Sequence, residues 1–245
     1  MPYDAATVDA TFAALSSWDW GADAKPLTTL DAAVVAAHGD QALRADLERR
    51  LTALLGSGAS RGAKEEACRR LARVGSAASV PSLASLLPDH DLSHMARFAL
   101  ERIDAAEAAA ALRDAVASLT GPLRIGMISS LAARRDTQSV PQLAGLLTAD
   151  AATAAAAALA LGSIATSAAA AALQAGQGDP CSSTGAAIAD ARLACAESLR
   201  ATGHRDAAIG ILRSLAEVAA GKPAARQIEL AATRGILACL DTAAS

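Results

Sequence analysis

The chain has little of what marks nucleic-acid-binding, membrane or secreted proteins. Its formal net charge is −3 with a pI near 5.8, so no overall basic field is present to attract nucleic acid or an anionic membrane. Basic side chains are also not distributed along the whole sequence, because none occurs from 136 to 191. No apolar run reaches the length of a bilayer span, and the first ten residues lack the basic and apolar regions of a secretory signal. The sequence therefore predicts a protein that binds neither nucleic acid nor a membrane.

Catalytic and metal-binding signatures are also missing. The motifs H-E-x-x-H and C-x-x-C do not occur, and no Gly-Lys-Ser/Thr follows Gly56-Ser57-Gly58. The densest group of possible metal ligands, Asp89-His90-Asp91-x-x-His94, would need further ligands from elsewhere in the chain. We therefore predict no catalytic residue, metal or cofactor. The four cysteines, taken as reduced thiols, favour a reducing, cytoplasmic location. They are Cys68, Cys181, Cys195 and Cys239.

Alanine is abundant and a short motif recurs. Alanine occupies 69 of the 245 positions and has the highest intrinsic helix propensity. The segment SVPSLASLL at 79–87 returns as SVPQLAGLL at 139–147, and a degenerate copy lies between them at 104–119. Each copy precedes a second apolar-periodic stretch whose key leucines recur about every 30 residues; these are Leu71, Leu100, Leu131 and Leu161. The pattern predicts consecutive helix pairs without strands.

Residues at the expected helix ends agree with this interpretation. Pro81 and Pro141 follow a serine at the start of a first helix, where a missing N–H costs nothing. Asp91, Asp104 and Asp150 are each predicted to be the N-cap of the helix that follows.

The unit V-P-x-L-x-x-L-L followed by DLSHMARFALERI at 91–103 resembles a HEAT repeat, of the short type first named from phycobilisome lyases. The resemblance implies an all-α, right-handed superhelix of about six helix pairs behind an N-terminal helical cap. We expect the cap at 1–38, HEAT-like repeats at 39–175, and degenerate repeats at 176–245 that are partly similar to tetratricopeptide units. No His-Glu dipeptide occurs, which sets aside the di-iron hydroxylases of this repeat class.

Polar residues beside the apolar stripe of the second helices form the candidate binding site. In HEAT-like proteins these helices line a concave groove, and the register predicts a polar ladder of Glu65, His94, Arg97 and Arg124. The alternative is a brace between repeats, in which Arg97 binds carbonyl groups or Glu65 and sets the stacking angle. We expect the brace for Arg97 and a contact role for His94, and buried Arg97 must in either case have a partner.

Two other features have more than one interpretation. Trp18 and Trp20 could seal the first repeat as part of the cap, or anchor a partner. The charged residues at 44–73 could be the solvated faces of helices, or a basic patch for an acidic partner.

These observations favour a non-catalytic scaffold that binds a protein partner on a concave surface. The alternative is an enzyme or enzyme subunit of the HEAT-like class, similar to a bilin lyase or an alkylpurine DNA glycosylase. A third hypothesis is a module that binds a metal or small ligand at His90 and His94.

Overall fold

The computed structural model describes residues 5–176 and 178–241. Of these residues, 77% are helical, and they form fourteen α-helices and no strand. The helices are α1 Ala5–Ser16, α2 Lys25–Ala36, α3 Gln41–Leu55, α4 Arg61–Val74, α5 Val80–Ala84, α6 Ser93–Leu100, α7 Ala106–Ser118, α8 Gly121–Ala133, α9 Val140–Gly145, α10 Ala151–Ile164, α11 Ser167–Ala175, α12 Ser183–Ala201, α13 Arg205–Ala219 and α14 Arg226–Asp241. The predicted all-α class is confirmed.

The helices α3 to α14 form six consecutive pairs, and α1 and α2 precede them. The chain divides into two compact units, Met1–Ser130 and Leu131–Ser245, so that the division falls inside α8. No helix among the described residues combines the length and apolarity that crossing a bilayer demands. The handedness of the superhelix and the boundaries at 38 and 175 stay predictions.

Each unit has two layers of helices. In the first unit, α3, α5 and α7 pack in succession, and α4 packs on α6. In the second unit, α9, α11 and α13 form one layer, whereas α10, α12 and α14 form the other. Within each unit, the first helix of a pair thus stacks on the first helix of the next pair, and the second helix on the second. This arrangement buries the apolar stripe of each pair against its neighbours.

The predicted helix starts are confirmed in part. Both Pro81 and Pro141 lie in the first turn of their helices, α5 and α9. The Asp150 carboxylate accepts a hydrogen bond from the Thr153 N–H at 3.1 Å and caps α10. The caps expected from Asp91 and Asp104 are wrong. Asp89 instead accepts the N–H groups of Asp91 and Leu92 ahead of α6, while Ala105 precedes α7 without a side-chain cap.

The alanine-rich α10 lies unusually close to α12. A methyl group added at Gly162 would lie 2.8 Å from the carbonyl oxygen and 3.1 Å from the Cα of Ala191. Since both atoms belong to the backbone of another helix, they cannot move aside without shifting that helix. Glycine is therefore required at this crossing for a steric reason.

We expect Gly162→Ala to lower the free energy of unfolding by about 1–3 kcal/mol, the range for overpacking a filled interior. Gly210→Ala is the matched control, because Gly210 lies inside α13 with open space around its Cα. It should raise stability by about 0.5–1 kcal/mol through reduced backbone entropy of the unfolded chain. Chemical denaturation of both variants measures the difference, and equal stabilisation by the two would contradict the close crossing.

Candidate functional site

Arg97 contacts the next second helix. Its Nη1 donates to the Gly126 carbonyl at 3.1 Å and lies 3.2 Å from the Ser130 hydroxyl oxygen, both on α8. The Ser130 hydroxyl donates in turn to Glu101 Oε1 at 2.7 Å. Burial lowers the pKa of the Arg97 guanidinium, and the Glu101 carboxylate opposes that shift. These contacts have the geometry of a brace between α6 and α8.

Glycine at 126 makes this contact possible. A methyl group added there would lie 2.9 Å from Cζ and Nε of Arg97. The guanidinium group thus rests directly on the α8 backbone, in space that any larger residue would fill.

The other members of the predicted ladder do not join Arg97. Glu65 binds Arg61 Nε at 2.7 Å, and Arg61 Nη1 continues to Asp91 at 2.8 Å. Arg124 Nε donates to the Leu119 carbonyl at 2.6 Å, which ties it to the end of α7. The His94 side chain is exposed and has no hydrogen bond or ion pair with any described residue. Among the described residues, no hydrogen bond or ion pair therefore links Arg97 to Glu65 or Arg124, and a shared groove site of these four residues stays a prediction.

The two tryptophans occupy different environments. Trp18 is buried and donates its indole N–H to the Asp23 carbonyl at 3.0 Å. Its own carbonyl accepts the Ser60 hydroxyl at 2.6 Å, and Ser60 caps α4. Trp20 meets the Trp18 ring edge-on at 5.3 Å and is 59% exposed. Trp18 has the contacts of a cap residue, whereas Trp20 faces solvent above Gly62 at the start of α4.

Two charged side chains of α3 are bound to backbone groups at the end of α4. Arg44 donates Nε to the Val74 carbonyl at 2.9 Å and Nη2 to the Gly75 carbonyl at 3.3 Å. One turn later, the buried Glu48 carboxylate accepts the Ser76 N–H at 2.7 Å. The two α3 side chains together satisfy the backbone groups that the end of α4 leaves open. These residues therefore do not contribute to a free basic patch.

A second buried charged cluster lies between α2 and α4. The Arg70 guanidinium is 4% exposed and pairs with Glu66 one turn earlier and with Asp31 on α2 at 3.0 Å. Burial lowers the pKa of Arg70, and the Asp31 carboxylate opposes that shift. Sequence reasoning missed this cluster, although Glu66 and Arg70 have the spacing of a helical ion pair.

An open cleft of about 460 Å³ lies between α12 and α14 in the second unit. Its walls are mainly apolar, and its polar groups are Glu197, Arg200 and Arg234. Arg200 binds Glu197 at two points, with N–O distances of 2.5 and 3.1 Å, and lowers the pKa of that carboxyl. Arg234 is exposed and has no hydrogen bond or ion pair with a described residue. The cleft thus has one uncommitted cation beside an apolar wall. Sequence reasoning missed it because its residues come from two helices in the part that was expected to be degenerate.

Thiol and metal chemistry have little support in the described residues. Cys68, Cys195 and Cys239 are buried, and Cys181 is exposed. Burial raises the pKa of the Cys68 thiol to about 12, so that thiol stays protonated and a poor nucleophile near neutral pH. No group of three or more His, Cys, Asp or Glu side chains in the described ranges could hold a metal ion.

Similarity to known proteins is found at the level of structure. No protein-family model matches the sequence, and no curated protein matches it significantly. The structure resembles human deoxyhypusine hydroxylase, solved in complex with glycerol, with a TM-score of 0.39 and 16% identity. The alignment covers 94% of this chain and 95% of the human one. The expectation of a non-catalytic scaffold is corrected by this finding, since the similar structure is an enzyme.

We expect Arg97→Ala to lower the free energy of unfolding by about 1–3 kcal/mol, because the Gly126 carbonyl and the Ser130 hydroxyl oxygen lose a hydrogen-bond donor. Gly126→Ala should also destabilise, by pushing the guanidinium off α8. The double variant should lose less than the sum of the two, since the new methyl group enters vacated space. Exposed Arg73 serves as control, and Arg73→Ala should change stability by less than about 0.5 kcal/mol. Strict additivity, or an Arg97→Ala variant of full stability, would argue against the brace.

Thiol titration at neutral pH should modify Cys181 quickly and leave the other three cysteines unmodified until the protein unfolds. At pH 9 Cys68 should remain unmodified, because burial raises the pKa of its thiol to about 12. Mass spectrometry of the labelled peptides distinguishes the sites. Rapid native labelling of Cys68 would show that α4 opens far more readily than its burial implies.

Proposed function

We propose that this protein is an enzyme or enzyme subunit of the HEAT-like helical-repeat class, and that it binds a small organic anion in the α12–α14 cleft. The observation that carries the proposal is the exposed Arg234 beside an apolar wall in a cleft of about 460 Å³. That volume lies within the range of about 300–1,000 Å³ typical of small-molecule sites.

The chemistry of the wall defines the ligand class. Leu193, Ala231 and Leu212 offer apolar surface to the body of a ligand. Arg234 offers a guanidinium group to a carboxylate or phosphate, in the geometry that favours two-point hydrogen bonding. Glu197 contributes a negative charge at the Arg200 end, which disfavours a second anionic group there. The lining residues include no aromatic side chain on which a nucleobase could stack. The favoured ligand is therefore a monoanion with a compact apolar body.

Two further features support the wider assignment. Six helix pairs with a repeating V-P-x-L motif agree with HEAT-like repeats. Four free thiols, one of them exposed, agree with a reducing compartment, and we propose a cytoplasmic location.

Hexanoate is a suitable probe, because it joins one carboxylate to an apolar chain. Titration followed by amide NMR should shift the resonances of Leu193, Ala231 and Gly235, and hexylammonium should not. Arg234→Gln should weaken hexanoate binding by about tenfold to a hundredfold, the loss expected for a hydrogen bond to a charged group. Arg213→Gln is the matched control, since Arg213 is an exposed arginine on α13 outside the cleft. Equal binding of both probes, or no effect of Arg234→Gln, would refute the site.

A further inference from the structure

The outward face of α14 carries an apolar stripe that nothing in the described chain covers. Among the described residues, six large hydrophobic side chains are exposed, and three of them belong to this helix. Leu230, Leu237 and Leu240 are 43%, 54% and 51% exposed. Exposure of one such residue is ordinary, but three on one helix form a continuous patch.

The spacing of the stripe suits a partner helix. Exposed residues follow one another at intervals of four and three along α14; they are Arg226, Leu230, Thr233, Leu237 and Leu240. This is the seam of a coiled coil, in which side chains at alternating four- and three-residue steps meet a facing helix. The opposite side of α14 is buried against the rest of its unit through Ala232 and Cys239. Arg234 leaves the stripe and lines the cleft.

Charge placement indicates which helix would fit. Arg226 lies at the start of α14 and Asp241 at its end, both exposed and without an ion-pair partner among the described residues. Two copies of α14 packed antiparallel, with the two-fold axis between Thr233 and Arg234, bring each Arg226 opposite the other copy's Asp241. The same register sets Leu230 against Leu237 twice. A parallel pair would instead place like charges together at both ends.

We propose that the protein forms a symmetric homodimer through antiparallel contact of its α14 helices. The interface is isologous, because each residue pair occurs twice about the axis. One helix from each copy buries less than the roughly 800 Å² per partner of a standard stable interface. The dimer is therefore expected to be weak, with a dissociation constant on the order of micromolar.

Sedimentation equilibrium of the full chain, from low to high micromolar, tests the proposal. The wild type should shift from the monomer mass to twice that mass. Leu237→Glu should weaken association at least tenfold, because it places an unpaired carboxylate in the apolar contact between the two α14 helices. The matched control is Leu159→Glu, which changes a leucine that is 58% exposed on α10 and should leave association unchanged. Leu230→Ser provides a second, milder variant, and thermal unfolding of each confirms that it folds.

A charge exchange tests the antiparallel register. Arg226→Asp and Asp241→Arg should each weaken the dimer, and the double variant should restore it to within a few-fold of wild type. A chain that stays monomeric throughout, or a Leu237→Glu protein that associates like wild type, overturns the proposal. A double variant no better than the single ones overturns the register, and masses beyond the dimer overturn the closed symmetry. Hexanoate binding by Leu237→Glu separates this test from that of the cleft, since that side chain does not line it.

Discussion

The small size of the side chains between helices is the constraint on which this structure depends. An alanine interface buries little apolar area per residue, so helices must approach closely to gain dispersion contacts and exclude water. The α10–α12 crossing is the extreme case, because Gly162 faces the backbone at Ala191 and leaves no room for a methyl group. In α10, five of the eight buried positions are alanine or glycine, and the larger residues among them are Thr153, Leu161 and Ile164. Close approach compensates for small side chains.

Long polar side chains supply what the small apolar ones cannot. Arg44 and Glu48 reach from α3 to the backbone after α4, and Arg97 reaches from α6 to the Gly126 carbonyl. Each bond satisfies a backbone group and also fixes the distance between two helices. Because leaving such a buried group without a partner costs more than the bond itself contributes, these contacts specify the arrangement more than they stabilise it.

The sequence predicted the helices well and the polar contacts poorly, for a physical reason. The periodicity of Leu71, Leu100, Leu131 and Leu161 depends on local geometry, so the second helices were located to within a few residues. Arginine side chains span more than one helical turn, and their partners depend on which backbone group lies within reach. Arg97 was correctly expected to have a partner. Its contact with the Gly126 carbonyl, however, depends on glycine at position 126 of another helix, where the lack of a side chain leaves the backbone accessible. The α12–α14 cleft was missed for a similar reason, since Glu197 and Arg234 meet only through packing.

Arginine has two uses in this protein, and the difference between them bears on function. Arg44, Arg70 and Arg97 in the first unit are bound to carbonyl groups or carboxylates, so their N–H donors are already engaged within the fold. Arg234 in the second unit is not compensated by any described residue, and it lies beside apolar walls that exclude water from one side. An anion gains most from a cation that has no internal partner to give up. The charges that maintain the fold and the charge available to a ligand are therefore separate residues, and substitution of Arg234 can remove binding without weakening the helix array.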